Sequence, residues 1–119
     1  MNTPKIFADS ELAPFRWKNR ILVILSNSQS KELEGQQSIA ASNDAGFKER
    51  DLIVLTETDP QGGLHRKFKV TAQDFRVLLI GKDGHVALER STPITAEALF
   101  SVIDAMPMRR EEMKASQRR

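Results

Sequence analysis

The chain has 119 residues, 18 Lys and Arg against 16 Asp and Glu, and no cysteine. That length suits one domain with its own buried core. The missing thiols exclude disulfide staples, thiol nucleophiles and Cys-ligated zinc. The excess of positive charge is not uniform. Residues 1–50 hold seven basic and six acidic side chains, residues 51–104 hold six and eight, and residues 105–119 hold five and two. The basic character is therefore a property of the C-terminal tail, and the body lacks the basic stripe of a nucleic-acid reader.

The first element in chain order is Ile21–Leu25, opened by Arg20: a contiguous β-branched run that reads as a strand buried on both faces. Asn27, Ser28 and Ser30 follow as cap and turn residues. A helix is expected from about Gln29 to Phe47, with Leu33, Ile39, Ala40 and Phe47 as a thin core face and Gly46 near its end. Residues Asp51–Glu57 read as a second buried strand. The long crossover between the two makes them parallel. Asp59-Pro60 and Gly62-Gly63 break the chain, and Leu64 to Phe68 suggests a short helix with an outward basic face around His65, Arg66, Lys67 and Lys69.

Phe75–Ile80 is the third strand. Asp83-Gly84 then signals a hairpin with a type I′ turn, and Val86–Arg90 is the returning edge strand. In the last helix Thr95 is the cap, and Ile94 and Leu99 form a hydrophobic staple. Leu99, Phe100, Ile103 and Met106 supply its core stripe, and Pro107 stops it. The order β-α-β-α-β-β-α is that of the thioredoxin fold. The expected class is α/β, thioredoxin-like, with a central four-stranded mixed sheet flanked by helices. The expected domain runs over residues 14–113, with 1–13 and 114–119 as loose termini.

Three segments, FRWKNRILVIL (Phe15–Leu25), FRVLLIGKDGHVALERS (Phe75–Ser91) and IDAMPMRREEM (Ile103–Met113), resemble one known family. It is the bacterial domain of unknown function family 4174, related to the DUDES group, whose vertebrate relatives are extracellular-matrix proteins. The resemblance implies a thioredoxin-like fold and no established activity. In redox-active members of that fold a cysteine starts the first helix. Here the equivalent position falls at Ser30, within two residues. The cis-proline hallmark before the third strand is replaced by Thr71-Ala72-Gln73-Asp74. Both departures argue against redox catalysis.

Ser28 and Ser30 would need a general base to act as nucleophiles. His65 and His85 lie on a short helix and in a hairpin turn, so the serines read as cap and turn residues. Glu57 and Asp59 read as a solvated strand edge, and no cluster with ligand spacing calls for a metal or a cofactor. Trp17, the only tryptophan, sits within Arg16-Trp17-Lys18-Asn19-Arg20. It either covers the sheet edge, with Arg16 and Arg20 solvated, or binds an anionic or planar ligand. Met106-Pro107-Met108-Arg109-Arg110 reads equally as an adaptable protein-binding surface or as a helix stop with a frayed tail.

The expected function is a non-catalytic binding module. Its candidate binding residues are Arg16, Trp17, Asn19, Arg20, Ser28, Ser30, Arg109 and Arg110, facing an unknown protein or an anionic ligand. One alternative is a cysteine-free hydrolase or antioxidant enzyme using a pocket at the start of the first helix. A second is weak nucleic-acid binding through the basic tail. No run reaches the roughly 20 apolar residues of a membrane span. The N-terminus shows no signal-peptide core and reads as cytoplasmic. Export of family members makes periplasmic or secreted the alternative, with a leader removed.

Overall fold

The structure, a computed structural model, describes residues 11–71 and 73–117. A 3-10 turn at Ala13–Phe15 leads into β1 (Arg20–Leu25). The chain continues through α1 (Lys31–Ser42), α2 (Asp44–Glu49), β2 (Leu52–Glu57), α3 (Gly63–Phe68), β3 (Arg76–Ile80), β4 (Val86–Arg90), α4 (Ala96–Asp104) and α5 (Pro107–Gln117). The strands form one sheet in the order β2-β1-β3-β4. β1 pairs parallel with β2, from Arg20↔Leu52 to Leu25↔Glu57. It pairs antiparallel with β3, from Ile21↔Ile80 to Leu25↔Arg76.

The period of two along β1 divides the core between the two faces. Leu22 and Ile24 join Leu33, Phe47, Val77, Leu79, Leu99 and Ile103 on the face covered by α1, α2 and α4. Ile21, Val23 and Leu25 join Leu64, Val70, Leu78 and Ile80 on the other, with Phe15 and Phe68 packed against them. Every residue of β1 is buried, as a central strand requires. β2 is an edge strand and only half-buried beyond Leu52, which corrects the expectation of full burial.

Four expectations change in physical detail. The first helix breaks at Asn43, whose side-chain Nδ2 donates to the Ile39 carbonyl (2.8 Å) while its backbone leaves helical geometry. Gly46 lies inside α2 and ends nothing. A Cβ there would stand 2.7 Å from the Phe100 ring, so the glycine permits close packing of α2 on α4. The hairpin turn has positive φ only at Gly84 (90°), with Lys82 and Asp83 between Gly81 and Gly84. Gly84 N–H donates to the Gly81 carbonyl and Gly81 N–H to the His85 carbonyl, both at 2.9 Å. This is a tight turn followed by a left-handed glycine rather than type I′.

The fourth change concerns Pro107. It does follow the end of α4, but as the opening residue of α5, where its missing N–H costs nothing. The expected frayed tail is helical through Gln117. Thr95 caps α4 as expected, accepting from Ala98 N–H at 3.2 Å. Gln36, fully buried on α1, bridges to the loop before α4: its Nε2 donates to the Ile94 carbonyl (3.0 Å) and its Oε1 accepts from Ile94 N–H (2.7 Å). Ala72 and residues 1–10, 118 and 119 lie outside the described residues.

Candidate functional site

The three sequence segments that resemble the family meet at one end of the sheet, where β1 begins and β3 ends. Arg20, the first residue of β1, has no solvent exposure. Its Nη1 donates to the Arg50 carbonyl at 2.8 Å, and its two terminal nitrogens form a fork with the Glu112 carboxylate of α5, both at 3.1 Å. Lys82, in the hairpin turn and 8% exposed, donates Nζ to Glu112 at 2.7 Å and to Asp51 at 2.9 Å.

Arg109 lies one helical turn before Glu112, buried and paired with Glu49 (2.6 Å) and Asp104 (3.0 Å). Asp104 also holds the Arg50 guanidinium through two 3.0 Å bonds, and that guanidinium stacks 3.9 Å above the Phe100 ring. Hydrogen bonds from Arg50 hold the Asp104 carboxyl below the usual carboxylate range, against its partial burial and with help from Arg109. Burial alone would raise the Glu112 carboxyl. The bonds and charges of Arg20 and Lys82 more than offset it and hold Glu112 low. Buried cations are tolerable only when paired in this way.

Beside the network lies an apolar groove of about 410 Å³. Trp17, Ala87, Met106, Pro107 and Met108 line it, and Arg20, Gly81, Lys82, Asp83 and His85 complete its lining. Trp17 is 60% exposed and adopts φ 69°, the left-handed region that a bulky residue rarely visits. Its N–H donates to the Lys82 carbonyl at 2.7 Å, which ties the strained residue to the hairpin. Arg16 stands beside it, its Nε donating to the Asp83 carbonyl (3.1 Å) and its guanidinium 5.8 Å from the indole centroid.

The sequence candidates therefore divide. Trp17 does not cover the sheet edge; it is displayed. Arg16 is exposed, but Arg20, expected to be solvated, lies inside the network, as does Arg109. Asn19 donates Nδ2 to the Asp51 carbonyl at 3.3 Å, and Arg110 is exposed on α5. Ser28 and Ser30 lie at the opposite end of β1. Ser30 Oγ caps α1, accepting from Leu33 N–H at 3.1 Å, and donates to Glu32 at 3.0 Å; Ser28 is exposed in the preceding turn.

The histidines are placed elsewhere. His65 is buried rather than on an outward basic face, and its Nδ1 lies 2.7 Å from Glu57 Oε1. Glu57 is no solvated edge residue either: it also accepts from the N–H groups of Leu64 and His65, holding the start of α3. Asp59 orders the intervening turn through Gln61 N–H (2.9 Å). His85 is exposed and stands 3.4 Å from Asp83. Among the described residues no group of three or more histidine and carboxylate side chains is placed to hold a metal ion, and no helix is long and apolar enough to cross a membrane.

Sequence reasoning missed Glu112, Lys82, Asp51, Glu49 and Asp104. One signal was available: Arg109 and Glu112 are three apart, the spacing of neighbours on a helix.

A family model described as "Domain of unknown function (DUF4174)" matches residues 11–112. Among curated proteins, Coiled-coil domain-containing protein 80 of Danio rerio is 26% identical over 137 aligned residues, covering 89% of this chain. The match spans 16% of that protein's length. Among solved structures, the reduced 2-Cys peroxiredoxin of Plasmodium vivax superposes with a TM-score of 0.65 at 13% identity, covering 84% of each chain. The likeness shows the fold: thioredoxin-like, with a mixed four-stranded sheet flanked by helices.

Proposed function

Because this chain belongs to the DUF4174 family of domains of unknown function, we propose its role from its own geometry: it is a binding module on a thioredoxin-like scaffold, without thiol chemistry. The contact surface is the groove between Trp17 and the Met106–Met108 segment. One observation carries this reading. Trp17 is held out to solvent in a strained backbone conformation by its bond to Lys82, beside a groove of soft methionine side chains.

The partner is a protein segment that inserts an apolar side chain between Trp17 and Met108 and carries acidic residues beside it. Arg16 on the rim favours such flanking charge, with Lys18, Asn19 and Arg110 as outer contacts. Arg20 and Arg109 act from beneath, fixing the groove wall through their pairs with α5 and α2.

The chain has one Trp and no Tyr, so its intrinsic fluorescence reports position 17 alone. An immobilised array of short peptides, each with one Leu, Ile or Phe anchor flanked by Asp and Glu and none carrying Trp or Tyr, supplies the probe. Expected are binders that shift Trp17 emission to the blue. Trp17→Ala and Met108→Ala should each weaken them at least tenfold while leaving the melting temperature within about 2 °C, since both side chains are exposed. Binding unaffected by either substitution would overturn the groove as the contact surface.

A further inference from the structure

We propose that Arg20 and Lys82 form a recognition site for a carboxylate of the partner segment, and that Glu112 of α5 occupies this site in cis; this rests on the groove reading above. Three observations carry it. Arg20 is fully buried, yet its Nε–H has no hydrogen-bond partner, so the guanidinium is not saturated by what α5 supplies. Among the described residues neither apolar cluster includes a residue of α5. The helix is fastened by charged side chains, Arg109 to Glu49 and Asp104, and Glu112 to Arg20 and Lys82. Finally, Arg20 and Lys82 belong to the lining of the Trp17 groove, and Lys82 and Met108 also line the adjoining cleft that contains Glu111 and Glu112.

A segment anchored against Trp17 and Met108 therefore brings its own carboxylate to the two cations that Glu112 now neutralises. An acidic segment exchanges one carboxylate for another, so no buried cation is left unpaired, and α5 loses part of its fastening. A neutral segment of the same shape offers no such exchange. Glu112 is in this sense an internal competitor that sets the threshold for binding acidic partners.

The test uses the full chain and a pair of peptides, an apolar-anchored acidic peptide and its Glu→Gln counterpart, read by Trp17 fluorescence at fixed ionic strength. Glu112→Gln keeps an oxygen acceptor but removes the competing charge, and should bind the acidic peptide at least tenfold more tightly than the native chain. The neutral peptide should show no such gain. Equal affinities of the native chain and Glu112→Gln for the acidic peptide would overturn the inference while leaving the groove reading intact.

Two further arms keep the readings separate. In the native chain, the bound acidic peptide should speed hydrogen exchange of the α5 amides severalfold; unchanged or slowed exchange would count against displacement. With inorganic phosphate as the only probe, chloride balancing the ionic strength, Glu112→Gln should gain several degrees of melting temperature and the native chain none. This arm does not need the groove: no gain in the variant sinks the anion site, whereas absence of peptide binding sinks the groove.

Discussion

The residue that does most at the end of the sheet where β1 begins is Glu112, and its weight follows from what it neutralises. Arg20 sits at zero exposure and Lys82 at 8%. Glu112→Ala would leave both with part of their compensation gone, and removing one member of a buried pair costs about 3 kcal/mol. Glu112→Gln should cost less in a denaturant titration, because the amide oxygen still accepts from one of them. A second prediction concerns Gly46. Alanine there gains helix propensity of about 1 kcal/mol, but its Cβ meets the Phe100 edge at 2.7 Å, and overpacking of that kind costs about 2 kcal/mol. Gly46→Ala should therefore destabilise, and Gly46→Ala with Phe100→Leu should recover much of the loss. Sequence alone reads Gly46 as a terminator because glycine usually is one. The ring that requires it is 54 residues away, and no local pattern reports such a neighbour.

The elements that could be read from the sequence are those whose stabilising contacts repeat along the chain. β1, buried on both faces, shows as an unbroken apolar run, and α4 shows as a capped amphipathic stretch ending before Pro107. Contacts with single distant partners escaped that reading, even where the element itself was legible. α1 hides the buried amide of Gln36, which serves Ile94, and α3 hides a histidine turned inward to Glu57. α5 was the hardest to see, since its attachments are charges whose partners lie on β1, α2, the end of α4 and the hairpin.

The same logic fixes how α1 and α5 respond to change. Ser30→Ala removes the bond that caps α1 and should cost about 1 kcal/mol by thermal or chemical denaturation. For α5, Asp104 and Glu112 are held below their ordinary values in the folded chain, so the folded state binds fewer protons than the unfolded one. Their contribution is complete above the unfolded carboxylate range, from roughly pH 5 upward. It falls away as the pH drops through their lowered values. Helical content of α5, followed by backbone NMR from pH 7 down to pH 2, should stay constant to about pH 4 and then decline before β1 and β3 lose their signals. Loss of α5 above pH 5 would contradict the network as its fastening.

At the scale of the whole molecule, the sheet has two unlike ends. Where β1 finishes, the Ser30 hydroxyl is spent on capping a helix. Where β1 starts, five residues and about 17 Å away, the charged network and the groove lie together. The fold class and the RWKNR and MPMRR segments could be read from the sequence. That these segments converge with Arg20 turned inward follows from the register that places Arg20 opposite Leu52 and Ile21 opposite Ile80, and Arg109 is drawn inward by Glu49 and Asp104.

The left-handed backbone at Trp17 carries one more consequence. An L-residue held there gives up roughly 1–2 kcal/mol, which glycine would recover less its own entropic cost of about 0.5–1 kcal/mol. Trp17→Gly should thus melt slightly higher than the native chain, whereas Trp17→Ala, which keeps the unfavourable torsion, should not. With Trp17 as the proposed contact, the substitution that removes it would make the protein hardier, so selecting variants for heat tolerance alone would drive out the indole first and leave a sturdier domain without that contact.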